Sequence, residues 1–224
     1  MAGVSSAVLR SIPAFEALDA QRLETMSRIS SLRQVPRGNT VLREGDHTDN
    51  IYFIVNGALK VLVSDEEGRE VILSILGPGE MFGEMGVLDD HPRSATVIAT
   101  QSSDLVLVNK GDFQRFLVSS FEVTLFIMRG LVKRLRVADR KIESLALLDV
   151  YGRVARLLLD LAEERDGRKV VAKVTKQDIA KMIGASREMV SRVMKELENQ
   201  GLIIDEDRQI ILRADLGPDM REPS

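Results

Sequence analysis

The hydrophobic rhythm of the chain changes twice. Over residues 8–29 apolar side chains fall at helical spacings, with Leu9, Ile12, Phe15, Leu18, Leu23 and Met26 in register, which predicts a short helical lead-in. Over residues 32–108 the pattern becomes short runs rich in Val, Ile and Leu, at 51–55, 59–63, 71–76 and 105–108. Turn-forming clusters separate them: Arg37-Gly38-Asn39, Asn56-Gly57, Asp65-Glu66-Glu67-Gly68 and Gly77-Pro78-Gly79. Many short strands at close spacing predict an all-β barrel or jelly roll. Asn56-Gly57, between two alternating runs, reads as a hairpin turn because both residues tolerate positive φ.

From Asp112 the helical period returns. Met128, Leu131, Leu135, Ala138, Ile142 and Leu145 alternate between three- and four-residue spacings, the a/d seam by which two helices pair. A helix packed only on its own barrel is the simpler alternative, but the length of the seam favours dimerisation. Leu148-Asp149-Val150 reads as a hinge, residues 151–164 as a second amphipathic helix, and Arg165-Asp166-Gly167 as a turn. Residues 170–174 read as a short strand. Thr175 suits the cap of a following helix, with Asp178 as its capping-box partner, and Ile179, Ala180 and Ile183 form that helix's apolar face. After Gly184-Ala185, Ser186 suits the cap of another helix over residues 187–199, packed inward through Val190, Val193, Met194 and Leu197. Two short helices joined by a Gly-containing turn form a helix-turn-helix pattern. Gly201 ends the second helix, and a strand, turn and strand over 202–204, 205–208 and 209–212 predict a wing. The predicted domains are 1–121, a β-barrel domain; 122–148, a dimerisation helix; and 149–224, a winged helix-turn-helix domain, an α+β protein as a whole.

Composition narrows the function. The 224 residues contain no cysteine, which excludes disulfides, thiolate nucleophiles and cysteine-ligated clusters. No apolar run approaches the roughly 18 residues of a membrane span, and the first residues lack the apolar centre of a secretory signal, so the expected location is the cytoplasm, with no membrane partner. The net charge of −3 is unremarkable, but its distribution is uneven. Between residues 168 and 195, Arg168, Lys169, Lys173, Lys176, Lys181, Arg187, Arg192 and Lys195 face only Asp178 and Glu188. Such a face suits a polyanion, although a solvated helix surface would carry the same charges. On the second helix, Arg187 and Arg192 suit guanine edges and Glu188 a cytosine amine, with Ser191 beside them. Thr175, Gln177 and Ser186 suit phosphates.

Residues 82–96 form the most unusual stretch of the barrel. Gly83 and Gly86 permit tight turns, Arg93 offers a planar fork that matches a phosphate, Glu84 suits a ligand hydroxyl and Ser94 a phosphate oxygen. A surface loop in which Glu84 and Arg93 pair with each other is the competing reading. His47 and His91 are the only histidines, so no metal or haem site is expected. Glu84 with Asp89 or Asp90 is the only candidate carboxylate group, and no recognisable nucleophile or acid/base set accompanies it, so an enzyme is not expected.

The run from Ile179 through Gly184-Ala185-Ser186-Arg187-Glu188-Met189-Val190-Ser191-Arg192 resembles the DNA-binding signature of the Crp–Fnr family, and the resemblance extends over residues 9–212. It implies a jelly-roll cyclic-nucleotide-binding domain, a long dimerisation helix and a winged helix-turn-helix. It further implies a homodimer that reads near-palindromic double-stranded DNA with TGTGA-like half-sites through Arg187, Glu188 and Arg192. Residues 82–96 resemble the phosphate-binding cassette of that family, in which Gly83 and Glu84 would hold a ribose hydroxyl and Arg93 and Ser94 a cyclic phosphate. The cassette is about one residue shorter than in the cyclic-AMP receptors, and Ala138-Asp139 stands where they carry a Thr-Ser pair against the adenine. Asp139 would instead suit a guanine edge, and Arg134, Arg136 and Arg140 a more highly charged ligand, so cyclic di-GMP and cAMP both remain allosteric ligands implied by the resemblance. A ligand-independent regulator with a vestigial pocket is the alternative. RNA polymerase is a further implied partner, with the Asp65-Glu66-Glu67 tip similar to an acidic polymerase-contacting loop.

Overall fold

Pro13 divides the lead-in segment. It folds as two helices, α1 (Ser6–Arg10) and α2 (Ala20–Ile29), rather than as one continuous run. A proline has no N–H and biases the residue before it away from helix, so the chain turns between the two and restarts at Asp19, whose carboxylate accepts from the Arg22 N–H at 2.8 Å. Leu9, Ile12, Phe15, Leu18, Leu23 and Met26 are all buried, so the apolar periodicity survives the break. The computed structural model describes residues 3–47, 49–172, 174–206, 209–213 and 216–217, and the chain divides into two units, Met1–Lys133 and Arg134–Ser224.

The first unit contains β1 (Ser30–Val35), β2 (Thr40–Leu42), β3 (Asn50–Asn56), β4 (Leu59–Ser64), β5 (Glu70–Leu76), β6 (Met81–Phe82), helix α3 (Met85–Asp89), β7 (Thr96–Ala99) and β8 (Ser103–Asn109). They form two antiparallel four-stranded sheets, ordered β1-β8-β3-β6 and β2-β7-β4-β5, the sandwich of a jelly roll. β3 is buried on both faces. Phe53 packs towards Phe15 and Phe113 at ring-centroid distances of 4.7 and 5.9 Å, while Tyr52 and Ile54 enter the core between the sheets. That double burial explains its unbroken apolar run.

The expectation of a hairpin at Asn56-Gly57 is corrected: β3 and β4 lie in different sheets. Gly57 does take a positive φ of 98°, but its turn lies against the 102–103 segment, where a Cβ would come within 2.2 Å of Ser103 Oγ. The neighbouring Ala58 carbonyl accepts from the Thr100 N–H and hydroxyl at 2.8 and 2.9 Å. The glycine is used for close approach between turns, and the strands separate. At the β4–β5 tip, Asp65 builds a true hairpin turn by accepting from the Glu67 and Arg69 N–H groups, leaving Glu66 and Glu67 exposed.

Helix α4 (Lys110–Ser119) follows β8, and α5 (Phe121–Leu147) follows α4. The root of α5 packs on its own barrel through Val123 and Ile127, with Leu131 half-buried against the same core. Beyond it the predicted seam is bare in the single chain: Leu135 is 62% exposed, Ile142 66% and Leu145 58%. The boundary between the two units falls within α5.

The second unit contains α6 (Val150–Leu161), β9 (Glu163–Arg165), β10 (Arg168–Ala172), α7 (Lys176–Ile183), α8 (Arg187–Asn199), β11 (Ile203–Glu206) and β12 (Gln209–Leu212). Asp149 caps α6, its carboxylate accepting from the Gly152 N–H at 2.8 Å. The helix expected through residue 164 stops at Leu161, because Glu163 and Glu164 pair as strand with Val170 and Lys169. Correspondingly, β10 begins at Arg168 and ends at Ala172, and Lys173 lies outside the described residues. The sheet order is β11-β12-β10-β9. Strands β11 and β12 supply the two arms of the expected wing; Asp207 and Arg208, half of its predicted turn, lie outside the described residues.

Candidate functional site

Arg93 and Glu84 organise the cassette in the first unit. Both are buried, at 6% and 1% exposure, although residues 88–92 and Ser94 between and beside them are exposed. The Arg93 fork is held by main chain: Nη1 donates to the Gly83 carbonyl and Nη2 to the Asn50 carbonyl, each at 2.7 Å. Its Nε has no hydrogen-bond partner among the described residues, although buried. Burial pushes the Arg93 guanidinium below its ordinary pKa, while attraction to Tyr52, Asp49, Glu84 and Asp46 acts in the opposite direction. The buried Arg93 guanidinium thus keeps one donor, Nε, for a further acceptor.

Gly83 is required twice over. Its φ is +77°, and a Cβ would lie 2.6 Å from Arg93 Nη1. Ser94 is exposed, and its hydroxyl donates to Met85 Sδ at 3.6 Å, a weak acceptor that a phosphate oxygen would outcompete. The structure therefore places Gly83, Glu84, Arg93 and Ser94 in one local cradle: a glycine, a buried carboxylate, a buried cation and an exposed hydroxyl. Ala138 and Asp139 lie on α5 in the second unit, and both are exposed. Arg136 and Arg140 are exposed beside them, and Arg134 is half-buried.

Several contributors to the cradle were absent from the sequence reading. Asn50 acts through its carbonyl, which gives no signature in sequence. Lys110 and Gln114 reach the cassette from α4, donating to the Gly86 and Val87 carbonyls at 3.2 and 2.7 Å. His91 is exposed, with Nδ1 2.8 Å from the Asp89 carbonyl, and His47 is exposed on its own loop.

In the second unit, α6, α7 and α8 share one apolar core containing Tyr151, Val154, Leu158, Ile179, Ile183, Val190, Met194 and Leu197. Thr175 caps α7: its hydroxyl accepts from the Asp178 N–H at 3.0 Å and donates to the Asp178 carboxylate at 2.7 Å. Gly184, at φ +64°, ends α7, and Ser186 caps α8 by accepting from the Met189 N–H at 3.2 Å. Two further ties lock the pair to α6. Arg153 Nη1 donates to the Ile183 carbonyl at 2.8 Å, and the Tyr151 hydroxyl donates to Gln200 at 2.7 Å. Arg187, Glu188 and Arg192 are exposed on α8, with Ser191 half-buried. Thr175, Gln177 and Ser186 are exposed, and Lys176 is half-buried. All the predicted DNA-facing residues thus lie on the helix pair or at its caps, with the three long charged side chains free of the core.

Known proteins resemble both units of the chain. Residues 32–120 match the model of the cyclic nucleotide-binding domain, and residues 152–215 that of the Crp-like helix-turn-helix domain. The chain is 33% identical over 186 residues to the cAMP-activated global transcriptional regulator CRP of Salmonella typhimurium, covering 81% of this chain and 89% of that protein. It is 36% identical over 179 residues to the cAMP-activated global transcriptional regulator Vfr of Pseudomonas aeruginosa, covering 76% and 84%. Among solved structures, the c-di-GMP-responsive global regulator CLP of Xanthomonas campestris superposes with a TM-score of 0.75 at 29% identity, covering 88% of this chain and 100% of that one.

Proposed function

The chain belongs to the Crp–Fnr family of DNA-binding transcription regulators, and from that premise we propose that it acts in the cytoplasm as a homodimer whose DNA affinity is set by a cyclic nucleotide held at Gly83, Glu84, Arg93 and Ser94. The observation that carries this reading is Arg93: a buried guanidinium whose Nε has no partner among the described residues, beside a glycine that admits no Cβ. In this arrangement Arg93 and Ser94 bind the cyclic phosphate, and Glu84 accepts from a ribose hydroxyl. The exposed seam of α5 pairs two protomers. Ligand then shifts the population of dimers towards one spacing of the two α8 helices, about one helical turn of DNA or ~34 Å apart. Arg187, Glu188 and Arg192 read bases, and Thr175, Gln177 and Ser186 hold phosphates. RNA polymerase is the partner through which DNA binding becomes a change in transcription.

Relatives of this chain are cAMP-activated or c-di-GMP-responsive, and both nucleotides are proposed as its ligand. A carboxylate such as Asp139 accepts but does not donate, which suits the N–H edge of guanine, and Arg136 and Arg140 suit a ligand with two phosphates, so the two nucleotides are tested side by side. The test is a titration of a duplex carrying two TGTGA half-sites with the full-length protein, with cAMP, with cyclic di-GMP and with neither, alongside calorimetry of each nucleotide. A change in DNA affinity of about tenfold or more with one nucleotide is the expected result, in the usual range of allosteric coupling. DNA affinity indifferent to both nucleotides, with no heat from either, would overturn the ligand claim and leave a constitutive regulator.

A further inference from the structure

α3 is only five residues long, and its own hydrogen bonds cannot satisfy its C-terminal carbonyls. The next helix supplies the missing donors. Lys110 Nζ donates to the Gly86 carbonyl at 3.2 Å and pairs with the Asp90 carboxylate, while Gln114 Nε2, one turn further along α4, donates to the Val87 carbonyl at 2.7 Å. Asp90 sits at φ +61°, a left-handed conformation uncommon for a residue with a side chain, and closes α3 as its C-cap. Three residues later the chain reaches Arg93.

The same lysine is tied at its other end. Its main-chain N–H donates to the Asp49 carbonyl at 2.8 Å, next to Asn50, whose carbonyl accepts from Arg93 Nη2. The cassette is therefore fixed at both ends to one place, the start of β3 where it meets the start of α4: Arg93 through Asn50, and α3 through the Lys110 side chain. Val87, fully buried, lies in the same core as Phe113 and Phe116 of α4 and Val123 and Ile127 of α5.

We propose that Lys110 and Gln114 are positioning residues, a polar clamp by which α4 holds α3 and Asp90 in the geometry that places Arg93 and Glu84 for the ligand. This deepens the proposed cyclic-nucleotide reading and rests on it for the identity of the ligand, though not for the clamp itself. The clamp acts through α3; neither side chain need touch the nucleotide. The Lys110 side chain is 24% exposed, so its hydrogen bonds are substantially shielded from solvent. Asp90 reflects the same contact, since hydrogen bonding to Lys110 holds its carboxyl below the ordinary range.

The test uses the full-length protein and the variants Lys110→Met, which keeps the aliphatic stem, Lys110→Arg, which keeps the charge and donors, and Gln114→Leu. Amide hydrogen exchange is followed at Val87 and Leu88, whose N–H groups bond to the Glu84 carbonyl at 3.0 and 2.9 Å, with the β3 amides as internal reference. Lys110→Met and Gln114→Leu are expected to speed exchange at Val87 and Leu88 by about tenfold while the β3 amides change less and the melting temperature falls by only a few degrees, and Lys110→Arg to restore most of the protection. Calorimetry with cAMP and cyclic di-GMP is expected to show about a tenfold weaker Kd for Lys110→Met and a near-wild-type value for Lys110→Arg. Unchanged exchange at Val87 and Leu88 in Lys110→Met, or an arginine variant as impaired as the methionine one, overturns the clamp. If the wild type binds neither nucleotide, the ligand reading fails, and the exchange result alone still decides the clamp.

Discussion

Replacing Ile142 with Asp isolates the contribution of the long helix. Ile142 is 66% exposed in the single chain, on a face that continues through Leu135 and Leu145. Fully burying an isoleucine side chain contributes about 1.5–3 kcal/mol, so covering the two-thirds now exposed contributes about 1–2 kcal/mol per protomer. A two-fold dimer counts each seam residue twice, which makes the loss about 2–4 kcal/mol, or about a 30- to 1,000-fold weaker dimer. Two facing aspartates add repulsion to that. Sedimentation velocity across a wide range of protein concentration reads the change directly. Val118→Asp is the control: Val118 is 91% exposed and apolar, but it belongs to α4 and not to the heptad seam of α5. Its substitution is expected to leave the association unchanged. A wild type that sediments as a monomer throughout, or an Ile142→Asp variant as dimeric as the wild type, would refute the pairing of α5.

Four other substitutions probe the two units. Gly83→Ala forces a Cβ to within 2.6 Å of Arg93 Nη1 at φ +77°, a strain of about 1–2 kcal/mol from the backbone alone, so calorimetry is expected to show weaker nucleotide binding and thermal melting a lower midpoint; a variant matching the wild type in both would count against the cradle. Tyr151→Phe deletes the hydrogen bond to Gln200 and is expected to cost about 1 kcal/mol in denaturant melts near neutral pH. Burial raises the Tyr151 phenol above its ordinary 10.0, so its contribution is present below that value and is lost as the pH rises through the folded pKa; stability of the wild type should fall more steeply in that alkaline range than that of Tyr151→Phe, and parallel curves would refute the assignment. Arg187→Ala should relax base preference by about 1–3 kcal/mol at one position of each half-site, whereas Lys176→Ala should weaken all duplexes alike and reduce the salt slope by about 1 per contact; a uniform loss from Arg187→Ala would remove it from the base readers.

The parts of the fold that were legible are those whose signal is carried by neighbours in sequence. The seam of α5 could be read because periodicity marks an apolar face whether or not its partner is present. The helix pair could be read because Thr175, Gly184 and Ser186 punctuate it with caps whose chemistry is local. The β3–β4 connection could not. Asn56-Gly57 satisfies the local requirement of a hairpin, and only the contact with the 102–103 turn, far along the chain, sends β4 into the other sheet. The end of α6 failed in the same way: residues 162–164 continue a helical rhythm, but pairing with β10 claims Glu163 and Glu164.

The site divides along the same line. Gly83, Glu84, Arg93 and Ser94 could be proposed from sequence because the functional groups that suit a cyclic phosphate and a sugar hydroxyl occur together within a dozen residues. What holds them was invisible for two distinct reasons. Asn50 lies 43 residues from Arg93 and acts through a carbonyl, which every residue possesses, so no side-chain pattern could have selected it. Lys110 and Gln114 do act through their side chains, but their acceptors are again carbonyls, 24 and 27 residues away, and on a helix surface a lysine four residues before a glutamine reads as solvated. Candidate ligand-contacting residues can therefore be nominated from sequence wherever the ligand dictates the functional group. The residues that position them are selected by geometry against main chain, and they become identifiable only when the fold brings α4 against α3.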